Sequence, residues 1–224
     1  LVCLVGSEMC IRDRHYRCTN RRKDMSTIDF RPYEGFIFDM DGTLIDTMPA
    51  HLAAWQATAE RFDFPFCQEW FHSLGGMPSF KIVEELNRVH ELLLDPKTVA
   101  TFKMETFAAM ELHGDVIPCT NIVLEEYLGH KKIAVGTGSQ RESAMRLLSH
   151  AGLLDKLDVV VTASDVENHK PFPDTFLMAA EQLDLEASQC LVFEDTELGK
   201  RAAHAAGMDC VMVQDNELIF FPKP

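Results

Sequence analysis

The chain has 224 residues, enough for one sizeable domain or for one domain carrying an insertion. At 46% hydrophobic and 25% charged it reads as an ordinary globular protein rather than a disordered one, and no apolar run approaches the length of a membrane span. A formal net charge of -14 without any basic stripe argues against a nucleic-acid partner, although local cations or a metal still let an acidic protein hold a phosphate.

Residues 4–14 (LVGSEMCIRDR) back-translate to a string that resembles a transposon-end adaptor used in sequencing libraries. The expectation is that residues 1–24 are a non-structural leader and that the protein starts at Met25. A signal or transit peptide fits less well, because Gly6, Ser7, Glu8, Arg12 and Asp13 interrupt any continuous apolar core. Of seven cysteines, Cys3, Cys10 and Cys18 fall in that leader, and Cys67, Cys119, Cys190 and Cys210 show no metal or redox spacing. They read as buried free thiols in a reducing cytoplasm.

From Gly35 a short apolar run ends abruptly in acids and Gly42, as a buried strand does at a turn. Residues 46–120 then show only helical periodicity. Leu52, Trp55, Ala59 and Phe62 make one apolar stripe; Val83, Leu86, Val89 and Leu93 make a second; Val99, Phe102 and Met110 contribute to a third. A single crossover needs one helix, so three or more predict a small helical cap inserted above the sheet. Strand-like runs return at residues 132–136 (KIAVG), 157–162 (LDVVVT), 190–193 (CLVF) and 210–213 (CVMV), separated by helical patterns that stop at Gly152 and Gly207. Strands alternating with helices predict an α/β fold, a parallel sheet covered on both faces.

Asp39 and Asp41 stand two apart at a strand end, where their side chains start from one face. Ligands bind beyond the carboxyl ends of parallel strands. Two adjacent carboxylates repel unless a cation lies between them, and a hard divalent ion such as magnesium suits oxygen donors. A bare pair of acids before a glycine is also a common turn. Glu194 and Asp195 follow a second strand-like run in the same way, which favours a metal site over a turn. Thr137, Gly138 and Ser139 lie where a helix begins, a natural anion site, and Lys170 precedes Pro171, whose ring restrains the local backbone.

In this order the residues resemble the haloacid dehalogenase superfamily, whose motifs run Asp-x-Asp-Gly-Thr, Ser or Thr, Lys, and a closing acidic pair. Asp46-Thr47, His51 and residues 202–208 (AAHAAGM) resemble its β-phosphoglucomutase-like branch. Residues 133–139 (IAVGTGS), residues 170–177 (KPFPDTFL) and Asp209-Cys210 are most similar to bacterial fructose-1-phosphate and 6-phosphogluconate phosphatases. The resemblance implies a Rossmann-like parallel sheet core from residues 25–45 and 121–224, with a helical cap from residues 46–120. It implies Asp39 as nucleophile and Asp41 as acid and base. It also implies a magnesium ion on Asp39, Asp195, Glu194 and the backbone carbonyl of Asp41, with Thr137, Gly138 and Lys170 on the phosphate. On the cap side, Thr47 stands at the hinge and Gly76 and Lys81 in the specificity loop. His51 matches a residue that the mutases use near the acid and base, and reads equally as a surface helix histidine; Lys103 matches a cap lysine that contacts their substrate, though most helix lysines, Lys81 and Lys103 included, read as merely solvated. Arg141 either helps hold an anion or simply starts a helix.

The implied activity is a phosphatase acting on a small sugar phosphate in the cytoplasm, as a monomer with no membrane or nucleic-acid partner. A β-phosphoglucomutase is the alternative; it expects an arginine after the Gly75-Gly76 pair, where this chain has Met77-Pro78-Ser79-Phe80-Lys81. A catalytically dead binding protein, the third reading, expects a missing acid, and none is missing.

Overall fold

The computed structural model describes residues 28–110 and 114–224. The expected leader, the Met25 start, and Cys3, Cys10 and Cys18 lie outside those residues. Strands β1 (Gly35–Phe38), β2 (Lys132–Gly136), β3 (Val159–Val161), β4 (Cys190–Glu194), β5 (Asp209–Gln214) and β6 (Glu217–Phe221) form one sheet in the order β3-β2-β1-β4-β5-β6. All neighbouring pairs are parallel except β5 and β6, which are antiparallel. Strand β1 is central because every one of its residues is buried, and alternation sends its side chains to both faces. Phe36 and Phe38 join Val135, Phe193 and Val211 on one side. Ile37 joins Ala134, Val192 and Cys210 on the other. Each fully buried Phe or Ile contributes about 1.5 to 3 kcal/mol.

Helices α5 (Pro118–Tyr127), α6 (Arg141–His150), α7 (Asp174–Gln182) and α8 (Glu197–Ala205) accompany the sheet. Between β1 and α5 come α1 (Met48–Phe62), α2 (Gln68–Ser73), α3 (Ser79–His90) and α4 (Pro96–Ala108). Proline stands in the first turn of both α1 and α4, where a missing N–H costs nothing, and the Asp95 carboxylate caps α4 by accepting from the Thr98 N–H. These helices bury a separate core around Trp55, Phe71, Val83, Leu86 and Val99. The fold is thus a mostly parallel, Rossmann-like sheet carrying an inserted helical cap.

Several expectations are corrected. The buried α3 stripe is Ile82, Val83 and Leu86; Val89 lies on the helix but is half exposed, and Leu93 falls beyond the stop at Glu91 (φ 53°) and is wholly exposed. Helix α2 and strand β6 were not expected. Cys119, Cys190 and Cys210 are buried, but Cys67 is exposed. None of the described helices is long and apolar enough to cross a membrane.

Candidate active site

The carboxyl ends of β1 and β4 bring the acids together. The Asp39 N–H donates to the Phe193 carbonyl at 2.8 Å, which ties the end of β1 to β4. The chain then turns at Gly42 (φ +83°), and a Cβ there would lie 2.3 Å from Asp195 Oδ2, so only glycine lets the turn pass beneath Asp195. Carboxylate oxygens of Asp39, Glu194 and Asp195 all lie within 4.8 Å of one another. Lys170, itself buried, donates from Nζ to Asp39 Oδ1 and to Glu194 Oε1, both at 2.6 Å.

Three carboxylates share one ammonium in this buried cluster. Burial pushes Asp39 up to about 7 in spite of Lys170, with Glu194 and Asp41 adding to the rise. Burial also raises Asp195 well above its ordinary value, assisted by Glu194 and Asp39. Burial works against the Lys170 ammonium, but Asp39 and Glu194 outweigh it and hold the lysine charged. The deficit of positive charge and the all-oxygen donor set fit a hard divalent cation such as magnesium.

Asp41 is placed differently. Its carboxylate does not join the three-acid group but accepts from Thr47 Oγ1 at 2.6 Å, Ser139 Oγ at 2.7 Å and Thr137 Oγ1 at 3.4 Å. His51 Nε2 stands 3.3 Å from Asp41 Oδ1. Burial alone would raise Asp41; bonds from His51, Thr47 and Ser139 reverse that and hold it below the usual carboxylate range. Behind it, Lys103 Nζ lies 2.6 Å from His51 Nδ1, and the imidazole stacks on Phe107 at 4.1 Å between ring centres. In its charged form Lys103 donates to Nδ1, and the imidazole proton then sits on Nε2, facing Asp41. Burial pushes Lys103 down to about 7.

Asp39, Asp41, His51, Lys103, Gly76, Thr137 and Gly138 line a cavity of about 990 Å³ roofed by α1, α3 and α4. Lys170 and Glu194 sit behind its wall and Thr47 is wholly buried. Lys81 is not among the lining residues: it pairs with Glu84 at 2.9 Å along the exposed face of α3. Arg141 begins α6 and pairs with Asp165 at 3.1 Å. Sequence reasoning missed the bond from Ser139 to Asp41 and the bracing of Glu194 by Thr196, whose N–H and hydroxyl donate to Oε2 at 2.7 and 2.8 Å. Ser139 directly follows the Thr137-Gly138 pair, so its position carried a signal; Thr196 carried none.

Residues 36–213 match the haloacid dehalogenase-like hydrolase family. The chain is 39% identical over 186 residues to the fructose-1-phosphate phosphatase YqaB of Escherichia coli, covering 83% of this chain and 98% of that protein. It is 29% identical to the β-phosphoglucomutase of Bacillus subtilis, covering 79% and 81% of the two chains. A crystal structure of β-phosphoglucomutase from Clostridium difficile superimposes with a TM-score of 0.74 at 26% identity, over 82% of this chain and 85% of that one. With the matched region spanning the acids, the lysine and the sheet that carries them, the chain is an enzyme of the haloacid dehalogenase-like hydrolase family.

Proposed function

We propose that this enzyme is a magnesium-dependent phosphatase that hydrolyses a small sugar phosphate, of the fructose 1-phosphate or 6-phosphogluconate type, through an aspartyl-phosphate on Asp39. The observation that carries the reading is the meeting of Asp39, Glu194, Asp195 and Lys170 at the sheet edge beneath a cavity large enough for a phosphorylated sugar. Asp39, Asp195 and Glu194, with the Asp41 backbone carbonyl, would hold the metal, which when bound offsets the charge of the phosphoryl oxygens. Lys170, Thr137 and the Gly138 backbone orient the phosphoryl group.

In the first step an Asp39 carboxylate oxygen bonds to phosphorus, and the phosphorus–sugar oxygen bond breaks as that oxygen takes a proton from Asp41. In the second, water attacks phosphorus, its proton returns to Asp41, and the Asp39–phosphorus bond breaks to release inorganic phosphate. Asp41 is ionised in the resting site, so the first step needs a proton brought to it. A bound phosphoryl group raises its affinity for that proton by charge repulsion, and His51, backed by Lys103, is the neighbour that supplies it. The cap roofs the cavity and limits water entry during the first step.

The mutase reading shares this chemistry. The loop after Gly75-Gly76 has no arginine, and Lys81, itself not a lining residue, is engaged with Glu84, an arrangement that favours water over a second sugar hydroxyl as acceptor. The four free cysteines among the described residues suit a cytoplasmic protein.

The deciding experiment incubates the protein and magnesium with fructose 1-phosphate, 6-phosphogluconate, β-glucose 1-phosphate and acetyl phosphate, following phosphate and glucose 6-phosphate. Phosphate release without isomerised sugar is expected. Asp39→Asn is expected to abolish turnover while keeping the fold; magnesium-dependent activity in that variant removes the nucleophile assignment.

A further inference from the structure

Among the contacts between the cap and the sheet edge is a glycine pair. A Cβ on Gly138 would stand 2.1 Å from the Gly76 carbonyl oxygen, so the cap loop and the loop after β2 touch backbone to backbone. On the other side of the loop stands Thr196. A Cβ on Gly75 would lie 3.2 Å from Thr196 Cγ2, and one on Gly76 would lie 3.5 Å from both Thr196 Oγ1 and Lys170 Cδ. At Gly75 a Cβ would crowd the Thr196 methyl, and at Gly76 the positive φ (+82°) calls for glycine, so the bare loop lies close over these two side chains.

Thr196 is buried and fully committed. Its hydroxyl donates to Glu194 Oε2 and accepts from the Gly199 N–H at 3.0 Å, capping α8. Its own N–H donates to the same Glu194 oxygen. The opposite oxygen, Oε1, receives Lys170 Nζ, which also holds Asp39. A continuous path thus runs from the cap loop through Thr196 and Glu194 to Lys170 and Asp39.

We propose that Thr196 is a positioning residue with two separable duties: its methyl group seats the Gly75-Gly76 loop of the cap, and its hydroxyl holds Glu194 so that Lys170 is aimed at Asp39. Seating the cap and setting the lysine are thereby coupled through one side chain. The kinetic consequence rests on the phosphatase reading; the seating of the loop does not.

Two substitutions in the full chain separate the duties. Thr196→Ser keeps the hydroxyl and the helix cap but removes the methyl; Thr196→Val does the reverse. Amide hydrogen exchange across residues 74–78 is expected to quicken about 4-fold in Thr196→Ser, the worth of one methyl contact, and far less in Thr196→Val. With acetyl phosphate, which is too small to reach the cap, and with fructose 1-phosphate, Thr196→Val is expected to lower kcat alike, by about 10-fold, as the loss of one hydrogen bond to a charged group requires. Thr196→Ser instead raises KM for fructose 1-phosphate more than for acetyl phosphate. Thermal melts establish that both variants fold. Equal exchange in Thr196→Ser and the parent overturns the loop contact, and a kcat in Thr196→Val no lower than in Thr196→Ser overturns the Glu194 role. If the parent protein hydrolyses neither substrate, the phosphatase reading falls, while the exchange measurement still decides the loop contact.

Discussion

At Asp195 and Asp39 the same burial that prepares a metal site weakens the metal-free protein. Both acids hold a proton more tightly folded than unfolded, so their favourable contribution is complete below the ordinary value of 3.8 and is lost as pH rises, for Asp39 through about 7. Without metal, Asp195→Asn is therefore expected to be more stable than the parent at about pH 8, with the gap closing toward about pH 4. Magnesium should reverse the order, raising the melting temperature of the parent but not of the variant. Melts with chelator and with magnesium at both pH values check this, and a variant that gains as much from magnesium as the parent does would remove Asp195 from the ion. Lys103 has the opposite sign. Its folded value is lowered from 10.5 to about 7, so the unfolded chain alone binds the proton across that window and stability rises with pH through it. Lys103→Met is expected to stabilise the fold at about pH 7 by about 2 kcal/mol and to lose that advantage above about pH 10.5. It should also slow turnover by about 10-fold, because His51 loses the donor that fixes its proton toward Asp41. Denaturation curves and kcat across that pH range check both effects.

At the scale of elements, α8 shows how a helix is shaped around the site. Exchanging a helix-interior glycine for alanine ordinarily stabilises by about 1 kcal/mol. At Gly199 the new Cβ would lie 1.9 Å from the Glu194 carboxyl, so Gly199→Ala must expel that side chain from beside Lys170. We expect it to destabilise the protein by about 1 to 3 kcal/mol and to lower kcat by more than about 100-fold, as melts and steady-state rates will show. This demand on Gly199 was invisible in the sequence, because Glu194 and Gly199 meet only when β4 is followed by the tight entry to α8. Strands were legible where burial on both faces writes an apolar run into acids, as at Phe36 to Asp39 and Leu191 to Asp195. Strand β6 was missed although its hairpin carried a signal: Asp215 and Asn216 both take positive φ, 49° and 61°, which such short polar residues tolerate. The overlong α3 stripe arose because a left-handed Glu91, not a glycine, stops the helix. Asp39, Asp195 and Lys170 could be placed from strand ends and motif order. The bonds from Ser139 to Asp41 and from Lys103 to His51 were not foreseen, because motif order brings these residues to one edge without saying which way a hydroxyl or an ammonium turns.

The whole molecule is acidic while the proposed substrate is an anion, and the two facts together set the salt dependence of catalysis. The net charge of -14 acts at long range, and the cavity lining adds Glu84, Asp95, Glu105 and Glu142 against Lys97 and Arg146 near the outer wall. Lys170, the cation proposed to meet the phosphoryl group, lies buried behind Asp39 and projects little field beyond the cavity. An approaching sugar phosphate is therefore repelled at a distance and attracted only on arrival, the reverse of an electrostatically steered enzyme. Raising ionic strength from about 0.01 to 0.15 M shortens the screening length from about 30 to about 8 Å, which removes the long-range repulsion but leaves the buried contacts nearly intact. At saturating magnesium, kcat/KM for the sugar phosphate is accordingly expected to rise by about two- to fivefold across that range, with kcat almost constant. Replacing Glu105 and Glu142 by glutamine should raise kcat/KM at low salt and flatten the slope. A kcat/KM that falls with salt in the parent protein would mean that an attractive field at the cavity mouth, rather than the net charge, governs encounter.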